Sequence, residues 1–248
     1  QMEATKKYRE VGTFLANYSN PKLSPITMNW QSILLSKEER EEIRKRFILG
    51  ELLEGYAFIS RTCGEPCIAA CKKIEGETKI DYEPAQALGP FIGIFKREYI
   101  KTLIKLVDSL GLDAIYLGYV VAMLFEALYR GYIDSKTIEV EGSPSFDVMN
   151  PNSTVNYELA KTLITKIAFG ELWKNKRVNE IAGEINAKDL AFYIPFENGY
   201  DMTPNFYWSL GLILPVAMHG KYYSNYHTIF VEPEEYARIC AKRTVKEY

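Results

Sequence analysis

Three of the four cysteines in this chain fall within nine positions, as Cys63-x3-Cys67-x3-Cys71, and the pair Tyr82-Glu83 follows a dozen positions later. Three soft thiolates this close together can face one centre, which suits iron–sulfur or zinc chemistry. Steps of four also advance only about 40° around a helix axis, so three apolar cysteines on one buried helix face are a second reading. A disulfide is a third. Gly64 and Pro66 argue against a regular helix through the first two cysteines and so favour ligation.

The rest of the composition narrows the partners. Charge is balanced, with 30 basic against 32 acidic side chains, so nothing suggests electrostatic attraction to nucleic acid or to an acidic membrane surface. No apolar run approaches the roughly 18 residues that cross a bilayer, and the N-terminal QMEATKKYRE has no apolar signal core; a soluble, cytoplasmic protein is expected. Three clustered cysteines plus a remote Cys240 do not look like a secreted disulfide framework. Only Gln1, Gln31 and Gln86 are glutamines, beside 18 tyrosines and many Glu and Lys, which is compatible with a thermophilic source. A start on Gln and a stop at Tyr248 suggest a piece of something longer.

The pattern along the chain is mainly helical. Residues 1–35 show little periodicity and are expected to be irregular, with Trp30 as a core anchor. Ser36 is a good N-cap, and Glu38 and Glu39 suit the positive end of a helix running over 36–58, with an interruption near Gly50 or Gly55. Pro90 to Gly93 reads as a turn. Residues 96–110 carry a helical apolar stripe ending at Gly111, and 114–130 are apolar on nearly every face and stop at Gly131, so an antiparallel, buried helix pair is expected. The Gly-, Pro- and Asn-containing stretch 141–153 marks a boundary between a first helical domain, 1–145, and a second, incomplete one, 146–248. Helices are expected over 155–170 and 172–186, then an aromatic segment near 193–208, a stretch with His219 and His227, and a final helix containing Cys240.

At this point the residues resemble a known family. Cys63-Gly-Glu-Pro-Cys67-x3-Cys71, followed by Asp81-Tyr82-Glu83-Pro84 and Asp108-Ser-Leu-Gly111-Leu112-Asp113, is similar to the middle and C-terminal parts of the tungsten-dependent aldehyde:ferredoxin oxidoreductases. The Cys-Gly-Glu-Pro-Cys wording, the Asn29-Trp30 pair and Met202-Thr203-Pro204-x-x-Tyr207-Trp208 most resemble its glyceraldehyde-3-phosphate branch. The resemblance implies a mainly α fold, corresponding to domains 2 and 3 of that family. It also implies that an N-terminal pterin-binding domain or a partner chain completes the enzyme. By the same resemblance Cys63, Cys67 and Cys71 supply three thiolates to a 4Fe-4S cluster, and Asp108, Gly111, Leu112 and Asp113 form a turn that contacts a tungsten bis-pterin. Glu83 matches the glutamate beside the metal and His219 a histidine near it. The function implied is oxidation of an aldehyde, with ferredoxin as electron acceptor.

Two departures stand beside the match. The first two cysteines are one residue further apart than in most of the family, as in the glyceraldehyde-3-phosphate branch. The fourth cluster cysteine of the family has no counterpart before Tyr248, because Cys240 sits in an amphipathic pattern that reads as core. A non-catalytic helical subunit acting by protein association is the alternative, and a structural zinc site made by the three cysteines and a histidine is a weaker one.

Overall fold

A computed structural model of the chain describes residues 5–21, 26–64 and 69–191, and beyond them 194–195, 201–202 and 238. It is mainly helical, as expected. Helix α1 (Lys6–Tyr18) opens the chain, where the sequence pattern suggested irregular structure. The weak periodicity has a local cause: Gly12 breaks the helix at φ 72°, ψ 174°, and beyond it Phe14, Ala16 and Tyr18 are buried.

Ser36 starts α2 (Lys37–Ile43) with a reciprocal cap, its hydroxyl accepting from the Glu39 N–H while the Glu39 carboxylate accepts from the Ser36 N–H. The helix then widens into a π-helical stretch, Arg44–Leu52, closed by the Leu53 N–H donating to the Ile48 carbonyl, and it ends earlier than expected. The wide stretch begins at buried Arg44. Its guanidinium donates to the carbonyls of Tyr18 at 2.8 Å and Ser19 at 3.2 Å, so a cation caps the negative end of α1.

A small antiparallel sheet of β1 (Ile59–Ser60), β2 (Lys73–Glu75) and β3 (Thr78–Lys79) follows, with Ser60 opposite Lys73 and Ile74 opposite Lys79. Short α3 (Tyr82–Ala87) then enters the core, α4 (Arg97–Ser109) and α5 (Ala114–Arg130) follow, and α6 (Ser153–Ala168) packs on both of the latter. Helix α7 (Val178–Glu184) is shorter than the expected 172–186, because Trp173 (φ 44°) and Asn175 (φ 58°) turn the chain left-handed before it. A two-residue ladder pairs β4 (Ile194–Pro195) with β5 (Asp201–Met202).

Helix α5 is the centre of the molecule. Every residue from Leu117 to Ala127 is buried, and the helix stops at left-handed Gly131. The chain turns through 116° between α4 and α5, so the two cross instead of lying antiparallel as expected. What redirects α5 is its seat on α3: a Cβ at Gly118 would lie 2.6 Å from the Ala87 carbonyl carbon and oxygen, so only glycine permits this approach. Among the described residues no single helix is long and apolar enough to cross a membrane.

One acidic residue interrupts that apolar helix. Glu126, 2% exposed, accepts from Asn29 Nδ2 at 2.7 Å, Gln31 Nε2 at 2.9 Å and Arg130 Nε at 2.7 Å. Met28, Asn29 and Trp30 are all left-handed, with φ of 51°, 47° and 74°, and Trp30 packs edge-on against Phe91 at 5.8 Å. Replacing Asn29 with Ala should cost about 2–4 kcal/mol, since a buried carboxylate loses a donor and Ala tolerates the left-handed turn poorly. Chemical denaturation of the two chains measures it.

Candidate functional site

The cysteine stretch hangs from the β1–β2 ladder. The Arg61 N–H donates to the Lys72 carbonyl at 3.1 Å, which closes a loop holding all three cysteines, with Cys63 just inside one arm and Cys71 just inside the other. The described part of this loop is not helical, which removes the reading of three cysteines on one helix face. Cys63 is exposed and Cys71 is half-buried. Cys67 lies outside the described residues, as do His219, His227 and Cys240. Among the described residues no three Cys, His, Asp or Glu side chains are close enough to hold a metal ion.

A second group of residues does converge. Glu83, Asp108 and Asp113, from three separate segments, line one pocket of about 310 Å³ together with Lys79, Asp81, Pro84, Ile104, Ala114 and Ile115. Glu83 is in the first turn of α3, half-buried, and α3 itself is firmly held. The Tyr82 N–H donates to Thr13 Oγ1 at 3.0 Å, the Tyr18 hydroxyl donates to Gln86 Oε1 at 2.9 Å, and the Tyr18 and Tyr82 rings pack at 4.8 Å. Burial pushes the Tyr18 hydroxyl well above its ordinary pKa, and the Glu83 charge adds to the rise. Tyr18 therefore stays a neutral donor beside the pocket.

Asp108 is exposed in the last turn of α4, where the helix dipole disfavours a carboxylate. Gly111 follows in the left-handed conformation at φ 68°, with its N–H donating to the Asp108 carbonyl at 3.1 Å, and no atom within 4 Å of a built Cβ. The Leu112 N–H donates back to the Val107 carbonyl at 3.2 Å and its side chain packs half-buried on the core. Asp113 caps α5, with Oδ1 accepting from the N–H groups of Ile115 and Tyr116, both at 2.9 Å. The four expected turn residues thus form one tight helix–turn–helix corner, and two of their carboxylates face a pocket with an apolar floor. Such carboxylates can accept hydrogen bonds from ring N–H groups, which a pterin edge presents.

Two lysines, Lys79 on the pocket wall and Lys73 on β2, feel the charge of Cys71. Lys79 pairs with Asp81 at 2.6 Å; burial alone would lower its pKa, but this pair, helped by Asp108 and Cys71, raises it. Lys73 is 0% exposed, and burial lowers its pKa while Cys71 opposes the fall. A cation beside a thiol favours the thiolate, the form that ligates metal. The described part of the loop offers Cys63 and Cys71 as thiol groups. Lys79 was legible in principle, since alternation in Lys79-Ile80-Asp81 puts the two charges on one side of a strand. Lys73, one of a pair of adjacent lysines, carried no signal of its burial.

Comparison with known proteins gives the family. The sequence model of the family described as aldehyde ferredoxin oxidoreductase, domains 2 and 3, matches residues 1–193. An uncharacterized protein of Methanocaldococcus jannaschii is 30% identical over an alignment covering 97% of this chain and 45% of its own length. Glyceraldehyde-3-phosphate:ferredoxin oxidoreductase of Pyrococcus furiosus is 29% identical, over 99% of this chain and 43% of its own length. The chain spans less than half the length of these curated relatives.

Asp113 has both a capping role and a place in the pocket, and substitution separates them. Asp113→Ala should lower stability by about 1 kcal/mol, whereas Asp113→Asn, an equally good cap, should leave it within about 0.5 kcal/mol. Thermal unfolding reads both. The stabilisation from Lys79 is present below the ordinary lysine pKa and is lost as pH rises through the raised value. The stability difference between the parent chain and Lys79→Met should therefore vanish in strongly alkaline solution, which denaturation across that range checks.

Proposed function

The chain belongs to the aldehyde ferredoxin oxidoreductase family, and on that premise we propose that it supplies the helical part of a tungstopterin, iron–sulfur enzyme that oxidises an aldehyde to its acid. The observation that carries this reading is the pocket where Glu83, Asp108 and Asp113 meet, with Lys79 linking it to Cys71. When bound, the tungsten pterin would take two electrons from the aldehyde and the cluster would pass them singly to ferredoxin. Cys63, Cys67 and Cys71 would be thiolate ligands. Asp108 and Asp113 would accept hydrogen bonds from the pterin edge, while Gly111 keeps the backbone open to its approach.

The role of Glu83 follows from its position. Oxidation of RCHO with water gives RCOOH, two protons and two electrons, so a base must accept protons as the carbon–oxygen bond to water forms. A half-buried carboxylate at the pocket wall, held by a helix that Thr13, Tyr18 and Gln86 fix in place, can accept one of them. His219 would assist from the C-terminal segment. Ile104, Ala114 and Ile115 give the pocket an apolar floor against which bulk water is displaced.

Glyceraldehyde 3-phosphate is the substrate favoured by the Cys-Gly-Glu-Pro-Cys wording and by the name of the Pyrococcus relative. With four carboxylates against one lysine, the described pocket wall offers no net attraction to a phosphate. The phosphate of such a substrate would therefore be held by residues outside this wall. A separately folded pterin-binding domain or partner chain would complete the site.

The complex purified anaerobically through this chain should reduce ferredoxin in the presence of aldehyde. Glu83→Gln should lower that rate by on the order of 10²- to 10⁴-fold with metal content unchanged, the range for loss of a general base. An equal rate in the variant would remove Glu83 from the chemistry, and a complex without iron or tungsten would remove the enzyme reading altogether.

A further inference from the structure

Helix α3 carries Glu83 in its first turn, yet it runs only from Tyr82 to Ala87, too short to hold its own shape in water. Its start is also poorly served by its own residues. Asp81 stands at the N-cap position with extended backbone, φ −112° and ψ 158°, but its side chain makes no cap. The Asp81 carboxylate is turned instead to Lys79, 2.6 Å away. Pro84, the third residue of the helix, has no N–H, so one of the two donors that an N-cap side chain ordinarily binds is missing. The acceptor comes from another helix. Thr13 of α1 accepts from the Tyr82 N–H through Oγ1 at 3.0 Å, and at the far end of α3 the Tyr18 hydroxyl, from the same helix, donates to Gln86 Oε1 at 2.9 Å. Thr13 stands directly after the break in α1, where Gly12 takes a φ of 72° that a residue with a Cβ adopts only under strain.

We propose that Thr13 is a positioning residue for Glu83, a cap that α1 lends to α3 and that fixes the turn from which the carboxylate reaches the pocket. The bond to the Tyr82 N–H sets the peptide plane one residue before Glu83. The Tyr82 ring, 1% exposed and packed at 4.8 Å on Tyr18, anchors the same turn from inside. Glu83 and Pro84, the next two residues, line the pocket. Because Thr13 supplies the cap, Asp81 can hold Lys79 on the same pocket wall. The inference rests on the reading of Glu83 as a proton acceptor, and its test keeps the two apart.

The complex purified anaerobically through this chain is compared with Thr13→Val, which keeps the shape and removes the acceptor, and with Thr13→Ser, which keeps the hydroxyl. Thr13→Val is also combined with Glu83→Gln. Amide hydrogen exchange reads the turn, and aldehyde-dependent ferredoxin reduction reads the chemistry. Thr13→Val should exchange about tenfold faster at Tyr82 with α5 protection unchanged. Its kcat should fall by about 10- to 100-fold with KM for the aldehyde unchanged, the cost of a displaced catalytic group. Thr13→Ser should stay within about twofold of the parent, and in the Glu83→Gln background Thr13→Val should cost nothing further, because the group that it positions is gone. Parent-like kcat in Thr13→Val overturns the proposal, as does an equal loss in Thr13→Ser or an undiminished loss in the Glu83→Gln background. If Glu83→Gln keeps the parent rate, or the parent has none, the base reading fails, while the Tyr82 amide still decides whether Thr13 holds the turn. Should Thr13→Val lose α5 protection, Thr13→Ala replaces it with the same expectations.

Discussion

The close crossing of α5 over α3 is the constraint on which the rest of the structure depends. Gly118 lets α5 rest on the backbone of Ala87, and that contact fixes where both helices begin. The start of α3 carries Glu83, and the start of α5 carries Asp113 as its cap. Because α4 must reach α5 through a left-handed glycine corner, Asp108 arrives at the same pocket. A larger residue at position 118 would shift α5 and pull the three carboxylates apart, so the site depends on packing some distance from it.

Two buried charges frame this core and are handled in opposite ways. Glu126 is surrounded by donors from Asn29, Gln31 and Arg130, which offset its desolvation and lock the left-handed run Met28–Asn29–Trp30 onto α5. Asn29 also donates to the Leu190 carbonyl at 3.0 Å, so the same side chain ties this run to the segment that follows α7. Lys73 instead donates to the neutral carbonyls of Arg9 and Ala70. A satisfied buried carboxylate far from the pocket is structural.

Much of this was legible in the sequence where local rules act alone. The Ser36 cap, the all-round apolar α5, the stops at Gly111 and Gly131, and the non-helical described arms of the cysteine loop all follow from capping and glycine chemistry. The sequence pattern failed where tertiary contact overrides it. Helix α1 was hidden because Gly12 yields to Lys73 and Cys71, and α2 widens around Arg44, whose partners are on α1. The crossing of α4 and α5 could not be read from two stripes, since Ala87 on a third helix decides it. Of the site residues, Glu83, Asp108 and Asp113 came from the family resemblance and meet in one pocket, while Lys73 became visible only through burial. Glu126 was legible in principle, as a single carboxylate in an otherwise apolar helix requires donors.

On the proposed reading the loop closed by Arg61 and Lys72 holds a thiolate-bound cluster. Iron content and low-temperature electron paramagnetic resonance of the anaerobically isolated chain, beside Cys71→Ser, test it most directly. The account predicts about four irons and a reducible paramagnetic signal in the parent, as a 4Fe-4S cluster requires, and loss of both in the variant. Iron absent from the parent, or equally retained by Cys71→Ser, would contradict it.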